Sequence, residues 1–180
     1  MQTLETKRLE IEITDKMAVH DPCYGDGQIL DASPGLWIVE AEFVESFGIR
    51  VGKLTAYAKN HKHVSGDKWD SFNFGVDAGL VSFQPLEHHI AADEYRNALD
   101  EFWAGPEGSN VDFAIVRNGV WSSTGHGDGC YVADVIYKDG KAIRIEIEFI
   151  PDEDDEDDFY IYDDEDENDD EGENDDEENE

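Results

Sequence analysis

Positive charge is what this sequence has least of. Lysine and arginine together supply 13 of the 180 residues, against 46 aspartates and glutamates, so the formal net charge is −33. Phosphate binding needs clustered Lys and Arg that displace the counterions of the nucleic acid, so free DNA and RNA are excluded as ligands. Anionic membrane surfaces are excluded on the same ground. Cations and basic protein surfaces are the partners that such a charge attracts.

Long apolar runs are missing as well. None approaches the ~20 residues that a membrane helix needs, so a soluble chain is expected. Residues Met1 to Ile11 are charged and alternating, without the basic start and apolar centre of a secretory signal. The cytoplasm is therefore the expected compartment. Cysteine is scarce: Cys23 and Cys130 are the two in the chain. In a reducing cytosol both are expected as thiols. A disulfide stays open only if the fold brings their Cα atoms to ~6 Å. The P-loop, the Rossmann glycine pattern, G-x-S-x-G and H-E-x-x-H are all absent, which counts against the enzymes that use them.

What is present is unevenly placed. Residues 152–180 hold 21 of the acidic residues and no Lys or Arg, which leaves 25 acids against 13 bases, or −12, in residues 1–151. Repelling charges and little apolar surface predict a disordered acidic tail over 152–180, interrupted by the apolar island Phe159-Tyr160-Ile161-Tyr162. Residues 1–151 are expected to form one β-rich globular domain.

Alternation with a period of two predicts strands through much of that domain. Leu9 to Ile13, Gly35 to Ser46 and Arg50 to Lys59 read as strands, the last two paired as a hairpin through Ser46-Phe47-Gly48. Asn60 to Asp67, with His61 and His63, reads as an exposed loop. Trp69 to Gln84 predicts two short strands meeting at a sharp bend near Gly75 and Gly79. Ala91 to Trp103 is the one convincing helix: Tyr95, Ala98, Leu99 and Phe102 share a face, and Gly105-Pro106 supplies a stop. Val111 to Arg117 and Val120 to Thr124 flank Asn118-Gly119, and Tyr131 to Tyr137 and Lys141 to Phe149 flank Asp139-Gly140. Both dipeptides suit two-residue hairpin turns. Trp37, Trp69, Trp103 and Trp121 are expected as core anchors. The predicted class is α+β, mainly antiparallel, as a sandwich or a partly open barrel with one helix packed on a sheet.

Three segments look unlike ordinary hairpin sequence: His20-Asp21-Pro22-Cys23-Tyr24 with Gly25-Asp26-Gly27, Gly75-Val76-Asp77-Ala78-Gly79, and Gly125-His126-Gly127-Asp128-Gly129-Cys130-Tyr131. Each sets an Asp beside Gly or Pro. Glycine permits turns that aim backbone amides inward, and Asp either accepts those amides or binds a cation. The Asp-Pro-Cys-Tyr, Val-Asp-Ala-Gly and Gly-Asp-Gly-Cys-Tyr motifs, in this order, together with the closing hairpin Tyr131 to Phe149, resemble the bacterial and phage domain-of-unknown-function family 4241. The resemblance spans roughly Ala18 to Phe149 and excludes the acidic tail. It implies a compact β-rich domain and no particular activity. For a phage-encoded chain the compartment would be the host cytoplasm.

Asp21, Asp77 and Asp128 are the candidate ligands for Ca²⁺ or Mg²⁺, which prefer carboxylate and carbonyl oxygens. The competing expectation is that each caps its own turn by accepting nearby amides. Cys23, Cys130, His20 and His126 form the candidate zinc set, although no C-x₂-C or H-x₃-H pair is present. A Cys–His nucleophilic pair is a further formal option without a local signature. His61, His63, His88 and His89 read as surface residues of loops.

Two functions compete at this level. One is a non-enzymatic module in which an acidic body docks on a basic protein such as a nuclease, a toxin or a DNA-associated host protein. Its role would be inhibition, immunity or nucleic-acid mimicry. Its electrostatic reach comes from the tail, through Asp152, Glu153, Asp154, Asp155, Glu156, Asp157, Asp158, Asp163, Asp164, Glu165 and Asp166. The other is a small metal-dependent enzyme or Ca²⁺- or Mg²⁺-binding domain built on Asp21, Asp77 and Asp128. Simple solubilisation or diffuse cation buffering by the tail are the bland alternatives.

Overall fold

The computed structural model describes residues 2–24, 27–61, 66, 68–88, 90, 94–104 and 112–151. The acidic run 152–180, with its expected partner-binding carboxylates and its apolar island, lies outside the described residues. So do Gly25, Asp26, His63, His89, the helix start Ala91 to Asp93 and the stop Gly105-Pro106.

Among the described residues, eleven strands and one α-helix follow in chain order: β1 (Thr3–Ile13), β2 (Lys16–His20), β3 (Gly27–Asp31), β4 (Gly35–Glu45), β5 (Ile49–Ala58), β6 (Lys68–Val76), β7 (Leu80–Pro85), α1 (Tyr95–Ala104), β8 (Phe113–Val116), β9 (Gly119–Ser123), β10 (Gly129–Lys138) and β11 (Lys141–Glu148). They form a six-stranded sheet in the order β1-β4-β5-β11-β10-β6 and a five-stranded sheet in the order β3-β2-β7-β9-β8. Every ladder within the sheets is antiparallel. The mainly antiparallel class with one helix is therefore met, as two sheets that do not close into a barrel.

The inner faces meet in one apolar core. Trp37, Val39, Ala41, Leu54, Ala56, Val135, Ile145 and Ile147 come from the six-stranded sheet, and Met17, Val19, Val81, Phe83 and Val120 from the other. The five-stranded sheet is covered on its far side too. There Leu80, Val116 and Trp121 pack beneath Ala98 and Phe102 of α1. This double cover explains why β7 is buried along its whole length, and why its sequence, and that of β2, lacks the alternation of a half-exposed strand. For that reason β2 was not legible from periodicity.

Several expectations shift in detail. The predicted strands over Trp69 to Gln84 do meet at a bend, but they do not pair: β6 lies in one sheet and β7 in the other. The bend carries the chain between layers, and Gly79 takes the left-handed backbone (φ 64°) that this requires. In the second hairpin the turn is Arg117-Asn118, with φ 46° and 66°, and Gly119 opens β9 opposite Val116. A Cβ on Gly119 would lie 2.1 Å from Gln84 Oε1, so glycine is required there by a close approach and not by its turn angle. The Asp139-Gly140 turn forms as expected, with φ 52° and 77°. Of the four tryptophans, Trp37 and Trp121 are fully buried, whereas Trp69 is 61% exposed and Trp103 also reaches solvent. The expectation that all four anchor the core fails because β6 is an edge strand and Trp69 alternates with the inward Phe72 and Phe74.

The outer face of the six-stranded sheet is polar along one cross-strand row and mixed along the next. One cross-strand row reads Arg8, Glu40, Thr55, Glu146, Asp134 and Ser71. The next reads Glu10, Ile38, Tyr57, Arg144, Ile136 and Trp69. Among the described residues no helix is long and apolar enough to cross a membrane.

Candidate functional site

The three unusual segments converge. Asp21 follows β2, the Asp77–Gly79 bend joins β6 to β7, and the Gly125–Asp128 loop joins β9 to β10. All three sit at one end of the sandwich, beside the β4–β5 hairpin tip.

Asp21 organises them. It is 1% exposed. Its Oδ1 accepts the Cys23 N–H at 2.7 Å, and its Oδ2 accepts the N–H groups of Asp77 at 2.7 Å and Ala78 at 2.9 Å. A buried carboxylate is tolerated only when its oxygens are satisfied, and charge-assisted bonds to backbone amides do this. One side chain thus caps its own turn and clamps a second turn onto it. The third loop joins through backbone and tyrosine. Thr124 N–H donates to Gly79 O at 3.1 Å, Gly127 N–H to Thr124 O at 2.9 Å, and the Tyr131 hydroxyl to Gly127 O at 2.7 Å.

Between the loops lies an open cleft of about 550 Å³ lined by Tyr24, Gly75, Val76, Asp77, Asp128 and Gly129. The Tyr24 hydroxyl donates to Asp77 Oδ2. That bond, and then the charge of Asp77, raise the Tyr24 pKa above the ordinary tyrosine value. Tyr131 is also raised, chiefly by burial and against its bond to Thr124. Tyr95 of α1 is bonded to Cys23, the chain neighbour of Tyr24. It stacks on Trp121, with ring centroids 6.1 Å apart, and its pKa is raised by burial and then by its hydrogen bond to the Cys23 side chain.

Asp21, Asp77 and Asp128 therefore reach the same end of the fold, but with different duties. Asp21 spends both oxygens on amides, which is the capping expectation realised across two segments. Asp77 holds Tyr24. Among the described residues no group of three or more His, Cys, Asp or Glu side chains is arranged to hold a metal ion. The candidate zinc set is dispersed in its contacts. His20 is buried with Nδ1 at 2.9 Å from Asp21 O, while His126 faces Ser46 Oγ at 3.5 Å and the Phe47 ring. Cys23 and Cys130 are free thiols, the first half-buried and the second exposed. His61 lies in a 3-10 turn after β5, and His88 ends a second such turn after β7.

Sequence reasoning missed the sheet face. Its cations are held by carboxylates of the same face: Arg8 Nε lies 2.7 Å from Glu40, Lys53 Nζ 3.0 Å from Glu146, and Arg144 pairs with Glu146 as well. The Tyr57 hydroxyl donates to Glu40 at 2.7 Å, and the Arg144 guanidinium sits over the Tyr57 ring. Burial alone would lower the Lys53 pKa, but the hydrogen bond and charge of Glu146 raise it. Glu146, in turn, is pulled below the ordinary range: burial acts against this, and the bonds from Arg144 and Lys53 outweigh it. The signal was present in the sequence as Arg8, Glu40, Glu146 and Asp134, but only strand register puts them in one row. No family model, no curated protein and no solved structure matches this chain.

Proposed function

We propose that this chain is a non-enzymatic binding module that docks on a basic protein surface. The observation that supports this is the outer face of the six-stranded sheet. Arg8, Lys53 and Arg144 are each bonded to carboxylates of the same face. Glu10 is paired with Lys59 at 3.5 Å, and Glu12, Glu42, Asp134 and Glu148 stand on that face beyond the ion pairs, so its residual charge is negative. A surface of net negative charge steers a cationic partner and suppresses anionic competitors. The acidic run 152–180 extends the same field by about a Debye length, ~8 Å at physiological salt. Nuclease inhibition, immunity to a toxin and mimicry of nucleic acid are the roles that fit such a field. A bacterial or phage setting rests on the motif resemblance alone.

The test is titration of the full chain into a basic nuclease at low and at high salt. Expected is binding that weakens with salt, and weakens again when Glu10, Glu12, Glu42 and Glu148 are changed together to Gln. Affinity indifferent to both salt and those substitutions would remove the reading.

A second reading, a small-ligand or divalent-cation domain at the cleft, draws support from the convergence of three Asp-bearing loops. Asp77 and Asp128 are its remaining ligands, since Asp21 is engaged with amides. Calorimetry with Ca²⁺ and Mg²⁺ on wild type and on the Asp77→Asn, Asp128→Asn double variant separates a site here from diffuse binding by the acidic run.

A further inference from the structure

The edge of a sheet exposes a row of unpaired N–H and C=O groups, and proteins guard it with charge, shortness or a cover. The four edges of the two sheets are guarded unequally. β1 carries the charged side chains Glu5, Lys7, Arg8, Glu10 and Glu12, β3 is five residues long and β8 four. β6 has neither guard. It is nine residues long, Lys68 and Asp70 neutralise each other, and no other residue of the strand is charged. Among the described residues no strand pairs with its free side.

Two residues on the outer face of β6 break the local pattern. Trp69 is a large aromatic left 61% exposed. Gly75, six positions on and on the same face, sits where a side chain would strengthen the strand. A Cβ built on it meets nothing within 4 Å, and its φ is not positive. Neither a close neighbour within the chain nor the backbone angle calls for glycine there.

Phe72 lies midway between them. An antiparallel pairing of β6 with the β6 of a second copy, centred on Phe72, sets Trp69 opposite Gly75 and Ser71 opposite Asn73. Two-fold symmetry makes each of these contacts twice. On the inner face, half-buried Phe72 meets its own counterpart. An indole lying across a glycine covers the bare backbone and supplies the cross-strand partner that the glycine lacks. Moving the centre by one residue would set Trp69 against Asn73 or Asp77 instead.

We propose that β6 is the interface of a symmetric dimer, in which two six-stranded sheets join through antiparallel β6 strands and Trp69 of each copy covers Gly75 of the other. Gly75 also lines the cleft, so Trp69 of the second copy becomes one of its walls. Each chain carries −33. Two copies repel, and a strand without net charge is where they approach at least cost. Added salt screens the repulsion and strengthens the dimer. Binding to a basic protein has the opposite salt dependence, so this inference stands or falls apart from that reading.

Sedimentation equilibrium of the full chain, from micromolar to submillimolar concentration, tests it. Sodium chloride at about 0.01 and about 1 M sets the Debye length to ~30 and ~3 Å. Expected is a monomer–dimer equilibrium that tightens with salt. Trp69→Ala and Gly75→Glu should each weaken it about tenfold or more, since each contact is made twice. The first removes the indole, and the second puts a carboxylate beneath it. Both positions are exposed and Gly75 faces open space, so equal unfolding midpoints in dilute, monomeric protein show that the fold is kept. A monomer at every concentration would leave the edge to a foreign strand and overturn the proposal. So would a dimer indifferent to both substitutions, or one weakened by Trp69→Ala alone, which would place the tryptophan in another contact.

Discussion

Asp21 and Asp77, 56 positions apart, are joined by a hydrogen bond from the Asp77 N–H to Asp21 Oδ2 at 2.7 Å. This bond ties a loop of the five-stranded sheet to the bend by which the chain leaves the six-stranded one. With its partners at Cys23 and Ala78 it makes Asp21 a three-amide clamp. Asparagine at this position keeps the shape but turns an NH₂ group toward amide donors. Asp21→Asn is expected to destabilise the fold by about 2–4 kcal/mol in chemical denaturation, as for other buried carboxylates that lose their bonds.

Asp77 has a separate signature. Its carboxylate favours the protonated Tyr24 hydroxyl, so Asp77→Asn should bring the Tyr24 pKa down toward the ordinary tyrosine value. An NMR titration of the Tyr24 ring carbons reads this directly, and an unchanged titration would break the assignment of the hydrogen bond.

Acid should act through the sheet face. The Glu146 pKa is held below its ordinary value by Arg144 and Lys53. A depressed carboxylate contributes stability above its unfolded pKa and loses it as pH falls through the folded one. Stability should therefore fall on acidification below the ordinary glutamate range. The Glu146→Gln variant should be weaker near neutrality by about 1–2 kcal/mol, allowing for partial solvent screening, with a flatter acid limb. Denaturation midpoints across pH for both proteins check the slope.

The tryptophans should separate cleanly. Trp37 is buried and its indole N–H donates to Ser33 O at 2.7 Å. Trp37→Ala should cost about 3–5 kcal/mol, whereas Trp69→Ala on the exposed edge should fall within about 0.5 kcal/mol of wild type. Parallel thermal or urea unfolding decides it.

Gly119→Ala places a methyl group 2.1 Å from Gln84 Oε1. Gln84 is not free to yield, since its amide donates to His88 O at 2.8 Å and Arg117 O at 3.0 Å. A loss of about 1–3 kcal/mol is expected, as for other overpacked sites. The companion Gly140→Ala meets no atom but strains φ, and should cost about 1 kcal/mol.

Local pattern carried a good part of this protein. The alternation in Trp37-Val39-Ala41-Phe43 and Ile143-Ile145-Ile147 determined which face each strand buries, because a pleated strand sorts side chains with a period of two. Asp139-Gly140 determined its turn, since those residues accept positive φ, and the helical stripe of Tyr95, Ala98, Leu99 and Phe102 determined α1. The excess of acid over base needed no fold at all. Tertiary structure decided the rest. Strands covered on both sides, such as β2 and β7, carry no alternation to read. Whether consecutive strands pair or change sheet, as at Asp77–Gly79, depends on layers that no local window contains. The meeting of Asp21 with Asp77, and the row from Arg8 to Ser71, arise from register between segments far apart in the chain. Sequence names the residues of such contacts, and only packing brings them within hydrogen-bond distance.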